Sequence, residues 1–265
     1  MNTKVVDTKR RFLRDEYPAG EPLRTRFLKK RIAPLMIALS GIAALSMSRY
    51  QDAYLIQEQI DTEKMAVADS LIVEEYDLDA ALVILDAVLP NVPDNYSEIF
   101  KKQRRFWSYN EYLEYVETTK ENVEWIQDVY CRIFFYYAVI HIEKRNPDKA
   151  GEYLLRGLKL IPDEPHLLCE MGMLYQSMDN ADSREAIKYY TRSLESDFCP
   201  AFQKARGLRG IGYCLIELDE LDKAEESFTA SLMYEDNEIA HDEIAYIHHL
   251  RSCGAKAKEE SVIYR

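Results

Sequence analysis

The chain has 265 residues, of which 47% are hydrophobic and 30% charged, with nine glycines and nine prolines. These values fit a helical protein that buries a continuous core, as one elongated array or about two compact domains, and they exclude a low-complexity chain. The formal charge of -12 at pH 7 argues against general affinity for nucleic acid.

The charge is unevenly placed. Residues 1–31 hold ten Lys/Arg against four Asp/Glu, so a basic arm of net charge +6 precedes a body of net charge -18. The arm, broken by Pro18 and Pro22, reads as a solvated leader or as a contact for an acidic partner or an anionic surface. Residues 32–48 then carry no charge at all. Seventeen such residues stand at the lower limit of what spans a bilayer. The segment permits a helix buried beneath its neighbour, the preferred reading, or an inner-membrane anchor with the basic arm on the cytoplasmic side. With the helix that follows it makes an N-terminal helical segment over 32–61.

Residues 62–95 read as a helical hairpin, with Ala81, Leu85 and Val88 on one face of the second helix and Pro93 as its terminator. Residues 96–130 hold Phe100, Phe106, Trp107, Tyr112 and Tyr115, with few small residues, and are expected to form a degenerate copy with looser packing. From Cys131 onward one pattern recurs three times. Ala138, Gly172 and Gly212 each sit in an apolar helical run, and Ala150, Ala186 and Ala224 follow after twelve, fourteen and twelve residues. Four residues beyond those come Leu154, Tyr190 and Phe228, and seven beyond come Gly157, Ser193 and Ser231. Small residues in phase let two helix axes approach, while the large residue fills the adjoining layer. The hairpins are thus expected at 131–164, 165–200 and 205–238. A capping helix follows at 239–250 and a polar tail at 251–265.

This pattern resembles the tetratricopeptide repeat, whose period of about 34 residues matches Ala138 to Gly172 and whose second helix commonly ends in proline, as at Pro162. The resemblance spans roughly 62–250 and implies an all-α, right-handed α-solenoid. It also implies a concave groove lined by the first helix of each hairpin: Arg132, Phe135, Val139, Ile142 and Glu143; His166, Cys169, Met173, Gln176 and Ser177; Arg206, Arg209, Tyr213, Ile216 and Glu217. The groove would have an apolar centre and a basic entrance at Arg132, His166, Arg206 and Arg209, suited to a peptide segment of a partner protein. Where the clamp for Hsp70 and Hsp90 tails would need asparagine stand Val139, Glu170 and Tyr213, so that activity is not expected. A distant similarity to bacterial secretion chaperones of this repeat class suits the apolar groove better.

Chemistry-bearing motifs are scarce. The cysteines at 131, 169, 199, 214 and 253 lack paired-ligand spacing and read as reduced packing residues of a cytoplasmic protein. His241, His248 and His249 read as helix-surface residues, and Gly207, Gly210 and Gly212 lie within a helix rather than after a strand. No serine or cysteine sits in a nucleophile-elbow sequence. The expected function is therefore a non-enzymatic adaptor, scaffold or chaperone without cofactor or metal. Two alternatives are a membrane-anchored scaffold and a regulator whose basic arm touches nucleic acid.

Overall fold

Tyr190 lies between two glycines, and that packing explains how the helices come together. A Cβ on Gly172 would stand 2.7 Å from the Tyr190 ring, and one on Gly210 would stand 2.4 Å from it. The absence of side chains there lets the ring of one helix enter both its partner in the hairpin and the next hairpin. Phe228 occupies the corresponding place against Gly212, at 2.6 Å. The computed structural model describes the backbone of residues 42–94, 103–177 and 181–263, and side chains from Ile56 to Cys253 within those ranges.

The hairpins are α4 (Val129–Glu143) with α5 (Pro147–Leu160), α6 (Pro165–Ser177) with α7 (Ser183–Leu194), and α8 (Ala201–Glu217) with α9 (Leu221–Leu232). Each helix packs on the next; α6 also touches α4 and α8, and α10 (Glu238–Ile263) closes on α9. Ala138, Ala150, Ala186, Ser193, Ala224 and Ser231 are all fully buried, and so are Leu154 and Phe228. Burying each of the two large side chains contributes roughly 1.5–3 kcal/mol. The fold is thus predominantly helical, and from Val129 to Leu232 it is a stack of tetratricopeptide-like hairpins.

Side-chain caps set the helix starts. Asp128 accepts from Cys131 N at 3.2 Å, Asn146 from Lys149 N at 3.3 Å, and Asp182 from Glu185 N at 3.0 Å. Each is worth about 1 kcal/mol. The turns after α4 and α8 are made by Arg145 and Asp219 in the left-handed region, at φ 56 and 59.

Residues 103–127 are not a degenerate hairpin. They form β1 (Gln103–Phe106), α3 (Tyr109–Thr119) and β2 (Glu124–Gln127), the strands pairing in parallel with Gln103 opposite Glu124 and Phe106 opposite Gln127. A parallel pair needs a crossover of about a dozen residues, which α3 supplies. Ser108 caps α3 through Glu111 N at 3.3 Å, and Lys120 ends it in the left-handed region. Without small residues in phase, the aromatic side chains have no helix to enter. Phe106 instead packs against Tyr112, Tyr115 and Phe198.

The described residues divide into two compact units between Pro93 and Asp94. In the first, α1 (Ile42–Ser70) packs on α2 (Leu78–Val88). Met65, Ala68 and Ile72 are buried on one side, and Ala81, Leu85 and Val88 on the other. The fully buried Asp61 accepts from Asn91 Nδ2 at 3.1 and 3.0 Å. The first helix of this hairpin is already helical at Ile42, the first described residue, rather than beginning at 62, because no glycine or proline interrupts residues 42–75. Among the described residues no helix is long and apolar enough to cross a membrane. The basic arm and residues 32–41 of the uncharged stretch lie outside them. At the other end α10 runs to Ile263, so the expected polar tail is helical for most of its length. Ala-Lys-Ala-Lys-Glu-Glu, at 255–260, is a run of strong helix formers.

Candidate functional site

All fifteen residues expected to line a groove lie on α4, α6 and α8. Their environments divide them. Phe135 and Cys169 are fully buried, His166 is 1% exposed, and Arg132 and Val139 are also buried. Ile142, Met173, Gln176, Arg206, Arg209, Tyr213 and Ile216 are half-buried. Cys169 Sγ sits 3.3 Å from Ser193 Oγ, and a Cβ on Gly207 would lie 3.7 Å from that sulfur, so Cys169 packs between helices rather than facing a groove.

The first part of the expected groove is filled by the chain's own strand-helix-strand. The Trp107 ring stacks on His166 at 4.0 Å between centroids and meets Phe135 edge-on at 5.5 Å. His166 Nδ1 lies 2.6 Å from Glu164 Oε1, and its Nε2 lies 3.0 Å from Glu111 Oε1. Glu111 also accepts from Trp107 N at 3.0 Å. Burial alone would push the imidazole pKa down, but the Glu111 and Glu164 carboxylates outweigh it and hold it up at about 10. Burial pushes the Glu111 carboxyl up, and the facing imidazolium only partly offsets that. The imidazolium thus serves two carboxylates under a stacked indole. One turn further on, Glu114 Oε1 accepts from Ala201 N at 2.8 Å, capping α8 where its own N-cap residue is Pro200.

The expected basic entrance is neutralised from within. Arg206 pairs with the buried Glu170, and Arg209 Nη1 lies 2.5 Å from Glu235 Oε2. Arg132 Nη2 donates to Tyr136 Oη at 2.9 Å. Tyr213 packs edge-on against Phe228 at 5.2 Å; burial, with the Glu243 carboxylate nearby, pushes its hydroxyl pKa up. Of the three places where a chaperone-tail clamp would need asparagine, Glu170 is therefore committed to Arg206, and Tyr213 packs on Phe228. Trp107, Glu111 and Glu114 escaped the sequence reading because the segment holding them was expected to pack as another hairpin.

Elsewhere the surface chemistry is that of helix-side ion pairs. His241 Nε2 lies 2.9 Å from Asp236, and His248 Nε2 lies 2.7 Å from Glu225, which Arg251 also meets. Among the described residues no group of three or more His, Cys, Asp or Glu is placed to hold a metal ion. The five cysteines are free thiols, all but Cys253 buried. Burial raises the Cys214 thiol pKa to about 12, as for a packing residue rather than a reactive thiolate.

No family model matches the chain, and no curated protein matches it. Among solved structures it is similar to a chain in the crystal structure of the APC/C hetero-tetramer Cut9-Hcn1, at 16% identity and a TM-score of 0.43. The match covers 75% of this chain and 39% of that one.

Proposed function

We propose that this protein is a non-enzymatic interaction scaffold, an adaptor or chaperone. In this reading its hairpins wind as a right-handed superhelix and hold a peptide segment of a partner on the part of the first-helix face that the chain leaves uncovered. Met173, Gln176, Arg206, Arg209, Tyr213 and Ile216 would line that part. What supports the reading is the contrast along one row of helices. At Phe135 and His166 the face is closed by Trp107, whereas Met173, Gln176, Arg206, Arg209, Tyr213 and Ile216 are half-buried, and Ser177 and Glu217 beside them are exposed. With Arg206 and Arg209 paired to Glu170 and Glu235, apolar contact would carry more of the binding than the arginines would. A reducing, cytoplasmic setting belongs to the same proposal, since four of the five thiols are core residues.

The test is site-specific photo-crosslinking in cells. A benzophenone side chain at Ser177 or Glu217 should trap the same partner protein, while one at the exposed Leu155 on α5 should not. Equal trapping from all three positions, or from Leu155 alone, would remove the groove from the account.

A further inference from the structure

The first hairpin carries two rows of side chains along α1. Asp61, Met65, Ala68 and Ile72 follow one another at intervals of four, three and four residues, and all are buried on the side that packs on α2. Ile56, Ile60, Glu63 and Val67 have the same intervals on the other side, and all four are exposed, the three apolar ones at 63%, 43% and 51%. Side chains so spaced share one helix face. Ser70 and Glu74 prolong this second row, Ser70 Oγ donating to Glu74 Oε2 at 2.9 Å. A row at this spacing, apolar with carboxylates in line, is the kind that a second amphipathic segment covers.

Charge selects the segment. Residues 56–93 hold nine Asp/Glu against one lysine, Lys64, whose Nζ lies 3.3 Å from Asp61. The later hairpins are closer to balance, with five acidic against six basic residues at 129–164, six against three at 165–200 and eight against four at 201–237. A second copy of the row would set carboxylates against carboxylates, so the matched occupant is apolar and cationic.

Residues 22–31 have that chemistry. They contain five Lys/Arg and no Asp/Glu, and Leu23, Phe27 and Lys30 stand at the spacing of Ile56, Ile60 and Glu63. The other basic run, 101–105, ends in β1, where Arg104 lies 4.5 Å from the Tyr115 ring centroid. The tether is also long enough. The stretch from Arg31 to Ile42 can span up to about 37 Å, whereas Ile56 stands roughly 21 Å along α1 from Ile42.

We propose that residues 22–31 of the basic arm dock on the exposed row of α1 in the same molecule. Leu23 and Phe27 would rest on Ile56, Ile60 and Val67, and the lysines and arginines would meet Glu63 and Glu74. Because the segment is tethered, modest contacts hold it there. The surface lies within the first compact unit and is independent of the first-helix face of α4, α6 and α8.

The experiment maps crosslinks within the purified full chain by mass spectrometry. A benzophenone side chain at Ile60 should link to residues 22–31 of the same molecule, whereas one at Val83, exposed on α2, should not. Changing Arg24, Arg26, Lys29, Lys30 and Arg31 together to glutamate should cut the Ile60 link about tenfold, as should about 1 M salt. Glu63→Lys with Glu74→Lys should cut it likewise in the native chain, and should restore it in the chain with the glutamate arm. No link from Ile60, a link to another part of the chain, equal linking from Val83, or a yield indifferent to these charge changes would overturn the proposal. So would linked dimers, because they would assign the row to a second copy of the chain.

Discussion

The three hairpins from Val129 to Leu232 and the strand-helix-strand from Gln103 to Gln127 bury aromatic side chains in opposite ways. In the second and third hairpins the large side chain enters a gap left by a missing one, as Tyr190 does between Gly172 and Gly210 and Phe228 does at Gly212. In the strand-helix-strand the aromatic rings pack on one another and on the inter-hairpin loops, as Phe106 does with Tyr112, Tyr115 and Phe198. The first solution repeats, because any hairpin with the same gaps stacks on the last. The second fits one place only, because its partners are loop residues and helix ends.

That contrast can be broken from either side. The largest effect is expected at Trp107. Trp107→Ala should lower the unfolding free energy by about 3–5 kcal/mol, by opening a cavity against Phe135 and His166. Denaturant titration should show it, and a loss near zero would mean that the strand-helix-strand merely rests on the hairpins. The charged node beneath the indole comes next. Its imidazole pKa of about 10 lies above the ordinary 6.5, so protonation stabilises the fold fully below pH 6.5 and this contribution disappears as pH rises towards 10. Between those limits the native chain should lose on the order of a few kcal/mol more than His166→Gln does. Parallel pH profiles for the two proteins would contradict the pairing.

On the hairpin side, Gly210→Ala replaces a helical glycine, a change that ordinarily stabilises by up to about 1 kcal/mol. Here it should instead cost about 1–3 kcal/mol, because the new methyl meets the Tyr190 ring. In a Tyr190→Leu background most of that cost should vanish; a stabilising Gly210→Ala in the native background would show that the helices are free to separate. The smallest effect is at the seam between the two solutions. Glu114→Gln should cost about 1 kcal/mol or less by weakening the cap on Ala201 N, seen as faster amide exchange in the first turn of α8.

Much of the hairpin architecture is legible from spacing alone. Ala150, Ala186 and Ala224 mark the second helices because a small residue at a fixed phase is a local requirement of close helix packing, and all three are fully buried. The glycines at 207, 210 and 212 are likewise readable as helical, since no strand precedes them, and α8 contains all three. The candidate groove is less legible. The residues that would point inward can be counted off along α4, α6 and α8, but nothing in that count announces that Trp107 would close over Phe135 and His166. Nor does it announce that Glu170 and Glu235 would take up Arg206 and Arg209.

The sequence by itself therefore determined the helical hairpins, their period and the residues at their closest approach, because these depend on side-chain size at fixed intervals within one or two helices. Only the tertiary structure decided the fate of residues 103–127 and how much of the first-helix face stays open. Those outcomes rest on contacts between segments far apart in the chain, such as Glu114 with Ala201 and Arg209 with Glu235. Charge pairing across such separations leaves no periodic trace in the order of residues.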